Sequence, residues 1–478
     1  MKNESRLLVI ITILLGSAQV VKLLMGLLRG KLLAVLFGPS AVALWGLYQS
    51  FIDIFQSISL LGIEKGALQD LSKSSDIKVV SYKALVLYVL VLFIVLIILF
   101  IVNIISLIIP EGYQFISNWA FEISLFFATL NITSMIVLNS LQRYKTLALT
   151  QVLGVIFGNS IALILLYYVG IESIDLAFLG LNFSLFLFTF FSVFSILEKN
   201  SLPTGTPAMR IMSKFISLGL PFWFPQVLTT GGLLWINIII ENYGGLDLLG
   251  TYIAAWAIAS MFSNILFSSF VGGYFPVLCR KIALNENVNK LVNWQIEFGI
   301  LLYSIGAIIL FLFPLSIITI LYSEVFLATV DIIRWFIIGS MLRMIGFPLG
   351  YAMMAFEKGR LYIIGQVIFN IINVGGVYFI FKEGIENMLG SNYLAAYVIY
   401  LLLLWYWASN ILNLKLSLFS LFYLLLWLVI MYLCIYLDSL LISLIIFSLL
   451  VFFILWVMNK RLDIKIKNFI LKGHLNEH

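Results

Sequence analysis

The sequence is poor in the groups that do chemistry in water. Its 478 residues hold two histidines and two cysteines, and only 10% of them are charged. Both histidines, His474 and His478, fall in the last five residues, so no histidine is left for a buried catalytic or metal site. Cys279 and Cys434 stand alone, without a CxxC spacing, and neither a metal centre nor a disulfide is expected. There is no GxxxxGK[ST] phosphate loop, which excludes ATP hydrolysis by that route. No acid–base constellation stands out. The expectation is a non-enzyme with no catalytic residue, no metal and no cofactor.

What is abundant is apolar. The chain is 63% hydrophobic with a mean hydropathy of +1.11, against about 45–50% apolar and about 25% charged for a soluble domain. This predicts an all-α polytopic membrane protein. Lys2, Glu4 and Arg6 precede an apolar run of spanning length without a small-residue cleavage site, so the first segment is expected to stay as a helix. The net charge of +6 sits in short loops at span ends. That is a topology signal and not a nucleic-acid surface.

A span needs about 20 apolar residues. Fourteen are read: 7–28, 41–62, 84–109, 117–139, 147–169, 176–197, 215–241, 248–270, 296–321, 326–353, 361–381, 393–413, 417–437 and 440–458. A single helix over 417–458 would run about 63 Å, about twice the hydrocarbon thickness, and Asp438 marks a turn there. With the N-terminus inside, 22 of the 28 lysines and arginines fall on the inside; Arg29, Lys31 and Lys382 fall outside, and Lys22, Arg334 and Arg343 lie within spans. Both termini are therefore expected in the cytoplasm. The longest polar breaks are 63–83 and 198–214. The second carries Pro203, Gly205 and Pro207 and reads as a linker, 201–214, between a six-helix lobe over 1–200 and a second over 215–413. Residues 414–458 then form two extra helices and 459–478 a basic cytoplasmic tail. A short repeat agrees. Phe37-Gly38 leads to Gly46-Leu47-Tyr48, and Tyr243-Gly244 leads to Gly250-Thr251-Tyr252, at offsets of 206 and 204. Six spans per lobe make the repeats parallel, an arrangement associated with alternating access.

Polar groups inside spans are costly and mark function or pairing. Gly16, Gln19, Lys22, Gly26 and Arg29 share one face of the first span, and Gln49, Asp53 and Gln56 share one face of the second. Asp53 is a partner for Lys22 or an ion-coupling carboxylate; both readings stay open. Arg343, mid-span, is an anion-binding group or half of a structural ion pair. Asp331 and Arg334 are i, i+3 and able to pair on their own helix. Gln226, Thr230, Asn237 and Glu241 line one face of the seventh span after Pro221 and Pro225, which suggest a broken or bending helix. Gln366, Asn370, Asn373 and Gly376 line the eleventh, for substrate contact or helix–helix hydrogen bonding. The candidate substrate-binding residues are Lys22, Arg29, Arg343, Arg334, Asn237, Gln226, Asn370 and Asn373. The candidate ion-coupling residues are Asp53, Asp331 and Glu241.

At Lys31-Leu-Leu-Ala-Val-Leu-Phe-Gly-Pro-Ser40, followed by Gly46 and Gly62-Ile-Glu-Lys-Gly66, the chain resembles the polysaccharide-export flippases. Met341-Leu-Arg-Met-Ile-Gly-Phe-Pro-Leu-Gly-Tyr351 and Lys358-Gly-Arg-Leu-Tyr362 add to the likeness. These are the O-antigen translocases (Wzx type) of the multidrug/oligosaccharidyl-lipid/polysaccharide exporter superfamily. The resemblance implies two six-helix bundles around a V-shaped cavity in the inner membrane of a bacterium. It implies a cargo of undecaprenyl-diphosphate-linked oligosaccharide, with a polysaccharide polymerase and a chain-length regulator as partners. It departs at Asn237, where these flippases often carry arginine. The alternative is a cation-coupled multidrug or small-metabolite exporter on the same fold. A polymerase or glycosyltransferase is disfavoured by the short outside loops.

Overall fold

The computed structural model describes residues 2–73, 76–106, 113, 115–116, 118–197, 207–437, 448, 452–454 and 457. Among them the chain is helical, without a strand. Residues 201–206 of the linker, most of the fourteenth span and the basic tail lie outside the described residues.

Two long kinked helices organise the rest. α1 (Lys2–Leu60) holds the first two spans, and its backbone breaks at Gly38, with φ 79° and ψ −167°. The seventh helix of the chain, α7 (Ala208–Ala283), holds the seventh and eighth spans and breaks at Gly245, with φ 80° and ψ 173°. Only glycine visits that region freely, because a Cβ would strain it. Each break thus replaces a loop, and Pro39 begins the second arm of α1 where its missing N–H costs nothing. The repeat seen in the sequence is therefore a repeated hinge, although the second hinge is Gly245 and not Gly244. α7 runs through Pro221 and Pro225 without leaving helical geometry; its non-helical residue is Gly245.

Between these lie α2 (Ile63–Leu71), α3 (Ile77–Ser106), α4 (Trp119–Ser140), α5 (Tyr144–Tyr168) and α6 (Ile174–Ile196). The polar break at 63–83 thus contains a whole short helix and the start of α3. After α7 come α8 (Asn289–Leu312), α9 (Pro314–Leu321), α10 (Thr329–Ala355), α11 (Gly359–Glu383), α12 (Leu389–Asn410) and α13 (Leu418–Leu437). The ninth span is split, since Pro314 cannot continue α8 and starts α9 instead.

The chain divides into two compact units. Unit 1 is Met1–Ile253 with Ile320–Phe326, and unit 2 is Ala254–Thr319 with the chain from Leu327 onward. The seventh span, which the linker groups with the second lobe, sits in unit 1. Its core explains why: Ile211 and Phe215 of α7 are buried with Ile63 and Ala67 of α2 and with Val80, Ala84 and Leu87 of α3. Gly154 and Gly158 let α5 lie directly on Leu185 and Leu181 of α6, where a methyl group would collide. In unit 2, α10, α11 and α12 pack together and α8 lies against α10. The start of α13 is tied back to α8. Asn289 Oδ1 accepts from Lys415 N at 2.9 Å, Asn293 Oδ1 accepts from Ser417 N at 2.7 Å, and Asn293 Nδ2 donates to the Lys415 carbonyl at 2.7 Å.

Candidate functional site

In unit 1 the first arm of α1 presents the polar stripe. Gln19 and Lys22 are exposed, and a side chain at Gly26 would meet nothing within 4 Å. Lys22 thus stays accessible on the polar face of the first span. Its charged neighbours are Asp53 and Arg29. Asp53 accepts a hydrogen bond from Gln49 Nε2 at 2.8 Å.

Arg29 is seated by the protein. Its Nη1 donates to Asn159 Oδ1 at 2.9 Å, and its guanidinium lies 4.0 Å from the centre of the Trp45 ring. Asn159 is itself oriented by donating to the Val155 carbonyl at 2.7 Å. Lys31 donates to the Tyr322 carbonyl. The Asn159 bond uses one of the five guanidinium donors of Arg29, and no ion pair to it is found among the described residues.

The second arm of α1 runs antiparallel to the first arm of α7. At one end Gly62 and Gly66 let α2 touch the backbone of Phe215 and Gly219. Trp223 Nε1 then donates to the Ser57 carbonyl at 3.0 Å, and Asn237 Nδ2 donates to Ser50 Oγ at 2.9 Å. At the far end the backbone of Gly250, five residues past the α7 hinge, lies on Pro39, next to the α1 hinge. Glu241 accepts a hydrogen bond from Tyr113. Asn237 is committed to a helix–helix contact here. Gln226 instead opens onto a small recess with Gln56, Glu64 and Trp223.

In unit 2, Arg343 has no carboxylate within ion-pair distance among the described residues. Its guanidinium stacks 4.5 Å from the centre of the Phe267 ring, and its polar neighbours are the hydroxyls of Tyr397, Tyr393 and Tyr362. The ion-pair reading of Arg343 therefore gives way to an aromatic cage. Arg334 does pair, with Asp331 at 3.7 Å, and it faces Phe311 at 5.7 Å. The two arginines of α10 have different neighbours and do not form one cluster. On α11, Asn373 accepts two hydrogen bonds from Asn392 Nδ2, at 2.8 Å on its carbonyl and 3.1 Å on its side chain. Asn370 donates to the Gln366 carbonyl at 2.9 Å, and Gln366 Nε2 donates to Tyr400 at 2.9 Å. Gln366 and Asn373 join α11 to α12, while the Asn370 bond stays within α11.

Two features escaped the sequence reading. One is the tyrosine row of α12, Tyr393, Tyr397 and Tyr400, whose 4 and 3 spacing was a usable signal of one face. The other is Asp70, whose carboxylate is 3% exposed and bonds Lys83 of α3 at 2.6 Å and also Lys214 of α7. Burial alone would raise the Asp70 carboxyl, but the hydrogen bonds from Lys214 and Lys83 outweigh it and hold it below the usual carboxylate range.

No protein-family model matches the chain, and no curated protein matches it in sequence. Solved structures do. The lipid II flippase MurJ, in an inward closed conformation, superposes with a TM-score of 0.70 at 19% identity over 94% of this chain and 100% of that one. A multidrug resistance MATE family transporter of the MOP superfamily, inward-facing, gives 0.61 at 15% over 84% and 99%. A MOP superfamily transporter from Pyrococcus furiosus with a binding pocket of reverse polarity gives 0.60 at 14% over 84% and 95%. The chain has the fold of the MOP-superfamily transporters.

Proposed function

We propose that the protein flips an undecaprenyl-diphosphate-linked oligosaccharide, an O-antigen or capsule repeat unit, from the cytoplasmic to the outer leaflet by alternating access. The observation that carries this is the stripe of α1, where Lys22 stays accessible beside a bare Gly26 face and Arg29 keeps donors uncommitted. Cationic groups in a low-dielectric recess attract a diphosphate far more strongly than in water. Arg343 supplies a further cation, with no carboxylate in ion-pair distance among the described residues, and its guanidinium suits phosphate or carboxylate oxygens. The likeness to a lipid II flippase over 94% of the chain supports a lipid-linked cargo. Asp53 and Glu241 serve as the groups that couple flipping to an ion gradient. Arg334 and Asp331, already paired, and Asn237, Asn370 and Asn373, already bonded to neighbours, serve the scaffold in this state and are released to cargo only where helices part.

The test is leaflet exchange of a short lipid-linked oligosaccharide in liposomes, with and without an ion gradient. Gradient-dependent exchange is the expected result. The likeness to a multidrug resistance transporter favours a second reading, cation-coupled export of drugs or small metabolites with Asp53 as the coupling residue. Absence of exchange with a matched glycan, together with new resistance to cationic dyes on overexpression, would replace the first reading with the second.

A further inference from the structure

The short segment Ile320–Phe326 belongs to unit 1, although the chain up to Thr319 and the chain from Leu327 onward belong to unit 2. It joins the end of α9 to a 3₁₀ turn, Glu324–Ala328, at whose start Phe326 N donates to the Ser323 carbonyl at 3.0 Å. Connections between helices run over the surface and stay wet. This one is half seated. Tyr322 is 5% exposed and Phe326 0%, while Ile320 and Val325 are 68% and 67% exposed. The two buried rings lie 5.1 Å apart. One face of the segment is packed and the other is bare.

The packed face meets the end of the first span that carries cations. A Cβ on Gly30 would come within 3.6 Å of Cε1 and Oη of Tyr322, so the ring lies on the backbone there. Lys31 donates to the Tyr322 carbonyl. Arg29 has the Tyr322 hydroxyl among its polar neighbours. Three successive residues of α1 thus face one tyrosine. The seat is incomplete, because Ser323 Oγ is buried without a partner among the described residues. A buried hydroxyl without a partner is costly, and water satisfies it once the segment lifts. That suits a contact that opens and closes better than a permanent joint. We propose that Ile320–Phe326 is a strap over the cargo cations of α1, which covers the Arg29 end of the first span when seated and frees it for the diphosphate when lifted. Both ends of the strap run on into unit 2, so movement of unit 2 during alternating access pulls on it directly. With the N-terminus inside, Arg29 and Lys31 lie at the outer end of the span, which makes the strap an outward lock. This rests on the reading of the α1 stripe as the cargo site and adds what controls access to it.

The test uses the full chain in right-side-out vesicles, with Cys279→Ser and Cys434→Ser as background and Gly30→Cys as reporter. Labelling of the reporter from outside by a membrane-impermeant maleimide is expected to be about tenfold faster when Lys31→Gln or Tyr322→Ala is added, the loss of one hydrogen bond to a charged group. Lys31→Gln leaves the buried ring in place, so the result does not depend on the fold tolerating its deletion. Equal labelling rates with and without these changes would overturn the strap, whatever the cargo. A second arm joins Lys31→Cys and Tyr322→Cys through a short reducible bis-thiosulfonate linker. Leaflet exchange of a short lipid-linked oligosaccharide is expected to stop in the linked protein and to return on reduction. Exchange at an unchanged rate in the linked protein would overturn the strap alone. No exchange by the unmodified protein, with labelling still faster in the strap variants, would overturn the cargo reading and keep the strap as a cover over α1.

Discussion

At the scale of single residues, the cations of this chain differ by what already holds them. Arg343 stacks on Phe267 beside tyrosine hydroxyls, whereas Arg334 pairs with Asp331. Arg343→Ala is expected to cut surface polysaccharide by about 10–100-fold while the protein stays in the membrane, the loss of one charge-assisted contact. Arg343→Lys keeps the charge but not the planar stack, and a fall of about 3–10-fold is expected. Glycan staining against membrane protein level checks both, and wild-type export in Arg343→Ala would remove this arginine from the site. The cation itself was legible in the sequence, because an arginine in a span stands out against leucine and isoleucine. Its partners were not. Phe267 lies on another helix 76 positions away, and hydrophobic periodicity says nothing about which faces meet. Arg29 shows the same limit, since Asn159 lies 130 residues distant. Asp331 with Arg334 was legible because both lie on one turn of one helix.

At the scale of elements, glycine does two unlike jobs. Gly38 and Gly245 hold dihedrals closed to other residues, and a Cβ there would meet nothing within 4 Å. Gly38→Ala and Gly245→Ala are therefore expected to cost about 1–3 kcal/mol each through the backbone alone. Gly26→Ala, in open space with helical geometry, is expected to be neutral or to stabilise by up to about 1 kcal/mol. Thermal unfolding in detergent ranks the three; equal midpoints for all three would refute the hinge assignment. The hinge was half legible. The Tyr-Gly and Phe-Gly repeat located it to within one position, but Gly244 and Gly245 are adjacent and sequence spacing does not tell which one turns. Asp70 was illegible for another reason: within the polar break at 63–83 it looks like any loop carboxylate until α2, α3 and α7 converge on it.

At the scale of the whole molecule, that carboxylate links stability to pH. Its folded pKa lies below the unfolded value of about 3.9, so its contribution is complete above that value and is lost as pH falls through the folded value. Between about pH 5 and 8 this group leaves stability flat. Asp70→Ala is expected to cost about 1–3 kcal/mol at neutral pH, a range discounted because Lys214 is half exposed to water. The variant is also expected to lose less than wild type on acidification below pH 4. Melting midpoints across pH 3–8 check this, and parallel curves for the two proteins would exclude the clamp. The seat of Arg29 has a consequence for biogenesis. The first arm of α1 is made before Asn159, the acceptor of Arg29, and at about 5–20 residues per second the ribosome needs roughly 6–26 s to supply it. During that interval Arg29 lacks the acceptor it has in the folded chain.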